Sequence, residues 1–119
     1  MKNLFYIFIG GGLGSVLRFL ISAFTQKWWN INHFPMGTFL VNIIGCFLIG
    51  YLTSYIKVDN YLKFLLITGF CGAFTTFSTF SLETYHLYQN GHLYTAIIYI
   101  VSIVSIGLLA FSIGLNLGK

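Results

Sequence analysis

The chain has 119 residues, of which 57% are hydrophobic and only 7% charged, where an ordinary soluble domain carries about 25% charged residues. Six Lys and Arg and two Asp and Glu cannot coat a soluble globule of this size, so composition excludes a soluble domain and assigns residues 1–119 to a lipid bilayer as one unit. The formal net charge of +4 does not point to nucleic acid, because the basic residues are scattered singly and not gathered on one face.

A hydrocarbon core about 30 Å thick is crossed by roughly 20 helical residues. Four apolar runs of that length can be cut from the chain: Leu4 to Phe24, Pro35 to Ile56, Leu62 to Thr84, and Tyr94 to Leu117. The fold class expected is an all-α integral membrane protein with four transmembrane helices. The connections hold Lys27, Trp28 and Trp29, then Lys57, Asp59, Asn60 and Lys63, then His86, Asn90, Gly91 and His92, residue types that suit membrane interfaces and turns.

The first run follows Lys2 in the manner of a signal peptide. It is too long for that reading, is interrupted by Gly10, Gly11, Gly12 and Gly14, and carries Arg18. Two readings stand for Arg18: its head snorkels to the interface, or it holds positive potential at a vestibule that attracts anions. Small residues four apart, Gly10 with Gly14, Gly11 with Ser15 and Gly114 with Gly118, suit close helix approach, either between copies or within one. With both termini and the second loop on one side, Lys2, Lys57, Lys63 and Lys119 oppose Lys27. That small bias weakly favours cytoplasmic termini and also suits a chain that inserts in both orientations. Four helices enclose almost nothing once their side chains are packed, so self-association is expected.

The second run starts at Pro35, a first-turn position where the missing amide hydrogen costs nothing. Inside it Asn42 needs partners for its donors and acceptor away from water, which makes it an interhelical structural hydrogen bond or a pathway residue. In the third run Thr75, Thr76, Ser78, Thr79 and Ser81 crowd hydroxyls close to Gly69 and Gly72. Hydroxyls there can take over backbone hydrogen bonds, and a broken third helix is expected. Such a break frees carbonyls for a cation and amide hydrogens for an anion. Phe74, Phe77 and Phe80 interleave with the hydroxyls and serve either packing or the site. The fourth run carries Tyr99, Ser102, Ser105 and Ser112.

Cys46 and Cys71 lie in apolar runs with no Cys or His at ligand spacing, so they read as small buried thiols. Enzyme chemistry lacks its parts: Glu83 is the one membrane-level carboxylate, and His33, His86 and His92 lie in or near loops with no positioned nucleophile.

The stretches GGGLGSVLR (Gly10 to Arg18), GTFLVNIIG (Gly37 to Gly45) and GFCGAFTTFSTFS (Gly69 to Ser81) resemble, in order and spacing, the three signature stretches of the Fluc, or CrcB-type, fluoride channels. The resemblance covers essentially the whole chain. It implies a multi-pass protein of the plasma membrane, the inner membrane in a bacterium, that forms an antiparallel, dual-topology homodimer. Two fluoride pathways would run along the subunit interface, with a structural sodium ion at its centre. By the same resemblance Asn42, Phe77, Phe80, Ser78, Thr79 and Tyr99 line the fluoride pathway, with Ser102 and Ser105 substituting for hydroxyls that the family has one turn on, where this chain has Ile103 and Gly107. Arg18 and Glu83 match vestibule residues, and the backbone carbonyls of Gly72 and Thr75 match the sodium ligands. The function so implied is passive export of cytoplasmic fluoride. A small multidrug exporter is the main rival, but that class resembles itself in a first-helix carboxylate, and here that helix carries only Arg18. A non-catalytic assembly subunit is a third possibility.

Overall fold

The computed structural model describes residues 2–28, 33–57 and 60–119; Trp29 and Asp59 lie outside the described residues. Helix α1 covers Lys2–Trp28 and α2 covers Met36–Tyr55. The third span begins as a π-helical segment, Lys63–Cys71, passes through a single turn, α3 (Gly72–Phe74), and continues as α4 (Phe77–Gln89); α5 covers Leu93–Leu117. The described residues contain no strand. Four spans are long and apolar enough to cross a membrane, and the longest dimension of the molecule, 47 Å, suits a bilayer of about 40–45 Å with its headgroups.

The first and third spans overrun the apolar stretches read from sequence, while α2, Met36–Tyr55, stops one residue short of its run at each end. Helix α1 continues past Phe24 to Trp28, so Lys27 and Trp28 belong to its last turn and not to a loop. The third span likewise continues past Thr84 to Gln89, with His86 in its final turn. Hydropathy marks where lipid ends, whereas the backbone keeps its internal hydrogen bonds into the interface, where leaving them unmade is costly. The π winding of Lys63–Cys71 carries no compositional signal that distinguishes it from an α-helix.

Helix α2 packs chiefly on α5, while α1 packs on the π segment and α3; past Phe74 the chain changes neighbour, and α4 packs on α5. Backbones approach closely at glycine. A Cβ on Gly10 would run into the Leu65 carbonyl and one on Gly14 into the Phe70 carbonyl; across the other pair, Gly50 faces the Phe111 carbonyl and Gly114 the Phe47 carbonyl. The Gly10/Gly14 and Gly114/Gly118 pairs therefore pack helices inside one chain. The turn between α4 and α5 depends on Gly91, at φ 81°. His92 N–H reaches the Leu87 carbonyl (2.8 Å) and Gly91 N–H reaches that of Tyr88 (3.2 Å), a glycine-terminated helix end.

The buried interior is small, with Tyr99, Phe74, Val41 and Cys71 as its fully buried side chains. Large apolar side chains such as Phe8, Phe19, Ile98 and Leu108 point outward, as lipid or a second copy requires. Cys71 is buried, Cys46 is half-buried, and both are free thiols.

Candidate functional site

The chain leaves helical geometry at two β-branched residues, Thr75 (φ −88°, ψ 154°) and Thr76 (φ −150°, ψ 124°), a residue type at ease in extended backbone. Thr75 closes the helix before it, since its N–H (3.1 Å) and Oγ1 (3.0 Å) both donate to the Cys71 carbonyl. Thr76 caps the helix after it: Oγ1 accepts the Thr79 N–H at 3.3 Å and donates to Thr79 Oγ1 at 3.3 Å, with Ser78 Oγ at 3.2 Å. This is the usual way a hydroxyl satisfies one of the first free amides of a helix.

Asn42 joins α2 to this point. Its Oδ1 accepts the Thr76 N–H at 3.1 Å, the hydrogen that an uninterrupted helix would give to the Gly72 carbonyl. Its Nδ2 donates to the Thr38 carbonyl at 2.9 Å and, at 3.5 Å, faces the Thr76 carbonyl. Of the two sequence readings of Asn42, the interhelical hydrogen bond is therefore present, and its partner is the backbone of Thr76. Gly45, one turn further along α2, leaves room for the Thr75 methyl; a Cβ there would collide with it. From the other side Arg18 Nε donates to the Ala73 carbonyl at 3.1 Å, so this side chain turns inward to the third span and does not snorkel.

Beside the two threonines lies a cavity of about 380 Å³, lined among others by Asn42, Thr75, Thr76, Phe77, Phe80 and Ile103. The Phe77 and Phe80 rings are 5.5 Å apart, and Phe80 lies 5.1 Å from Tyr99. Phe77 is 77% exposed and Ser78 is exposed beside it, so the cavity is open along the flank of the chain. In α5 the residues at its wall are Ile103 and Val104. Ser102 is only half-buried, Ser105 is exposed, and neither lines the cavity.

A second cavity, of about 320 Å³, sits at one end of the bundle among Gln26, His33, Pro35, Glu83, His86 and His92. The chain's three histidines all meet there, His33 and His92 stacking at 4.2 Å. Glu83 accepts the Tyr99 hydroxyl at 3.2 Å, and buried Thr38 lies beside this pair. The carbonyl of the same Thr38 accepts the Asn42 amide. Arg18 lines neither cavity, so the two candidate vestibule residues, Arg18 and Glu83, are not brought together.

Of the residues named from sequence, Asn42, Thr75, Phe77 and Phe80 line this one cavity beside the two threonines, with Thr79 bonded to Thr76 and Tyr99 against Phe80. From sequence Thr76 is only one of five crowded hydroxyls; its role as helix cap and as donor to Asn42, and the close approach at Gly45, are seen only in the structure. The signal for Thr76 was available: a threonine three residues before Thr79, at the start of a helix, is a capping pattern. No group of three or more His, Cys, Asp or Glu among the described residues could hold a metal ion; the oxygen donors near the interruption are backbone carbonyls and the Thr and Ser hydroxyls.

Residues 5–115 match the family model described as CrcB-like protein, Camphor Resistance (CrcB). A protein of Flavobacterium psychrophilum named Fluoride-specific ion channel FluC is 47% identical over 100% of this chain and 98% of its own length. Proteins with the same name from Azobacteroides pseudotrichonymphae (44%, covering 96% of this chain and 94% of the relative) and Phocaeicola vulgatus (46%, 97% of each) are also similar. With four spans and a match over nearly its whole length, the chain is a multi-pass membrane protein that belongs to the CrcB-like family.

Proposed function

We propose that the chain is a fluoride-selective channel that lets cytoplasmic fluoride leave passively, down its electrochemical gradient, through two pores between two copies of itself. The observation that carries this reading is the interruption of the third span, where hydroxyls, the start of α4 and the Phe77 and Phe80 rings meet one cavity beside Asn42. The name shared by the full-length relatives supports the same ion and a conducting protein, not an enzyme.

Fluoride is small, strongly hydrated and a strong acceptor, so a narrow path must replace its water with donors. The chain offers the Ser78 and Thr79 hydroxyls, the positive end of α4 and the positive edges of the Phe77 and Phe80 rings. Asn42 adds the N–H that reaches the Thr76 carbonyl only at 3.5 Å, beyond the usual 2.7–3.2 Å range and thus open to an anion. Arg18 adds a fixed positive charge beside the interruption. Tyr99 and Glu83 form the polar end of the path, and chloride is excluded by its size.

Exposed hydroxyls and a freed carbonyl facing acyl chains are costly, which favours a second copy over the flank that carries Gly72, Phe77 and Ser78. The small Lys bias between the two sides suits an antiparallel homodimer. A structural sodium ion fits the donors present. The Gly72 carbonyl has lost its helical partner to Asn42, Gly72 is exposed, and a hard cation accepts neutral oxygens. The carbonyls of Gly72 and Thr75 from both copies would hold it, and when bound it supplies fixed positive charge between the two pathways. In the plasma membrane the purpose follows from acid chemistry: hydrogen fluoride enters uncharged and releases fluoride at neutral pH, and the channel returns the trapped anion.

The test is efflux from liposomes that contain the purified protein. Fluoride-loaded vesicles should empty while chloride-loaded vesicles retain their content; comparable chloride efflux contradicts the selectivity.

A further inference from the structure

We propose that Arg18 is a positioning residue for the interrupted third span: by holding the Ala73 carbonyl it fixes the end of α3 at the register that releases the Gly72 carbonyl. The inference rests on the cation reading given above for Gly72 and concerns what builds that site.

A helix terminus leaves its last four carbonyls without internal partners, here those of Cys71 to Phe74, and three of them bear on the cation reading. That of Cys71 is taken by the Thr75 N–H and Oγ1. That of Ala73 is taken by Arg18 Nε at 3.1 Å, from a residue 55 positions away in the chain. The helical partner of the Gly72 carbonyl, the Thr76 N–H, is turned to Asn42. The carbonyls of Cys71 and Ala73 are thus held by the chain's own donors, while that of Gly72, between them, is the one whose helical partner Asn42 has taken. Arg18 can reach this point because Gly11 and Gly14 lie on the same face of α1. A Cβ on Gly14 would strike the Phe70 carbonyl, and one on Gly11 would stand 3.9 Å from the Ala73 Cβ. A guanidinium offers planar donors to a carbonyl, and a cation at a helix C-terminus is favourable.

A purely electrostatic role for Arg18 makes the opposite prediction. Its positive charge repels a nearby cation, so removal of that charge alone would strengthen sodium binding. Loss of a positioning contact weakens it. The sign of the change therefore separates the two roles.

The experiment follows thermal unfolding of the purified full-length protein in detergent as sodium replaces choline at constant ionic strength. A ligand bound only by the folded protein raises its melting temperature with concentration. Wild type should be stabilised by sodium. In Arg18→Met the half-saturating sodium concentration should rise about tenfold or more, and Arg18→Lys, which keeps a donor, should recover most of the loss. If Arg18→Met does not assemble, Arg18→Gln, a shorter uncharged donor, should show a weaker rise. Sodium binding that is unchanged or tighter in Arg18→Met, or tighter in Arg18→Gln, overturns the positioning role while the cation site stands. A wild type with no sodium-specific stabilisation overturns the cation reading itself, and the positioning role with it.

Discussion

Replacing Asn42 by leucine keeps the volume of the side chain and removes its amide. Thr76 N–H then loses its acceptor at 3.1 Å and the Thr38 carbonyl loses a donor at 2.9 Å. A buried N–H left unpaired costs about 1–3 kcal/mol and an ordinary hydrogen bond contributes about 1 kcal/mol. Together they set about 2–4 kcal/mol against the interrupted conformation, and at 1.4 kcal/mol for each factor of ten this is a shift of at least roughly 30-fold. The displaced N–H has a ready alternative in the Gly72 carbonyl, which would join α3 to α4 as one helix and seal the interruption. Fluoride efflux from liposomes should therefore fall at least ~30-fold, and hydrogen exchange of the peptide over residues 72–80 should slow. Asn42→Asp keeps an acceptor for Thr76 but exchanges the donor for a negative charge, so the interruption should persist while flux is lost. Efflux within threefold of wild type in Asn42→Leu, with unchanged exchange, would refute the reasoning.

Other substitutions probe the rest of the site. Phe77→Ile and Phe80→Ile should each reduce fluoride flux with the protein still dimeric on size-exclusion chromatography, because an aliphatic group has no positive edge; lost assembly with flux per dimer retained would make the rings packing residues only. Gly14→Val should destabilise the single-chain fold, since its side chain must displace the Phe70 carbonyl, and a melting curve will register the loss. Gly72→Val should leave that fold nearly intact, because a Cβ there meets nothing nearer than the Ile67 carbonyl at 3.9 Å, and should instead weaken the dimer in a crosslinking assay. Equal thermal losses in the two glycine variants would argue against a second copy over Gly72.

The four spans were legible because a bilayer imposes one length and one polarity on whatever crosses it, and Leu93–Leu117 follows its apolar run almost residue for residue. Convergence at the site was legible from the polar residues that hydrocarbon makes expensive: Asn42 in α2 and the Thr75–Ser81 hydroxyls could not remain without partners. Geometry that depends on tertiary partners was not. Nothing around Arg18 in α1 announces that its acceptor is the Ala73 carbonyl, 55 residues on. The small-residue pairs offered two readings with one spacing, and only the backbone contacts to Leu65, Phe70 and Phe47 choose between them. In α5 the serines drew attention as polar groups, but the turn of the helix brings Ile103 to the cavity wall, since rotation about a helix axis is set by the neighbours and not by the residue's own chemistry.

The central claim, passive fluoride selectivity, is tested most directly by current through a planar bilayer that holds the purified protein between unequal fluoride solutions. The reversal potential should follow the fluoride gradient alone, by about 59 mV for each tenfold ratio as for any single monovalent ion, and should ignore gradients of chloride or protons. A reversal potential that moves with the chloride gradient, or with pH at fixed fluoride, would contradict the account.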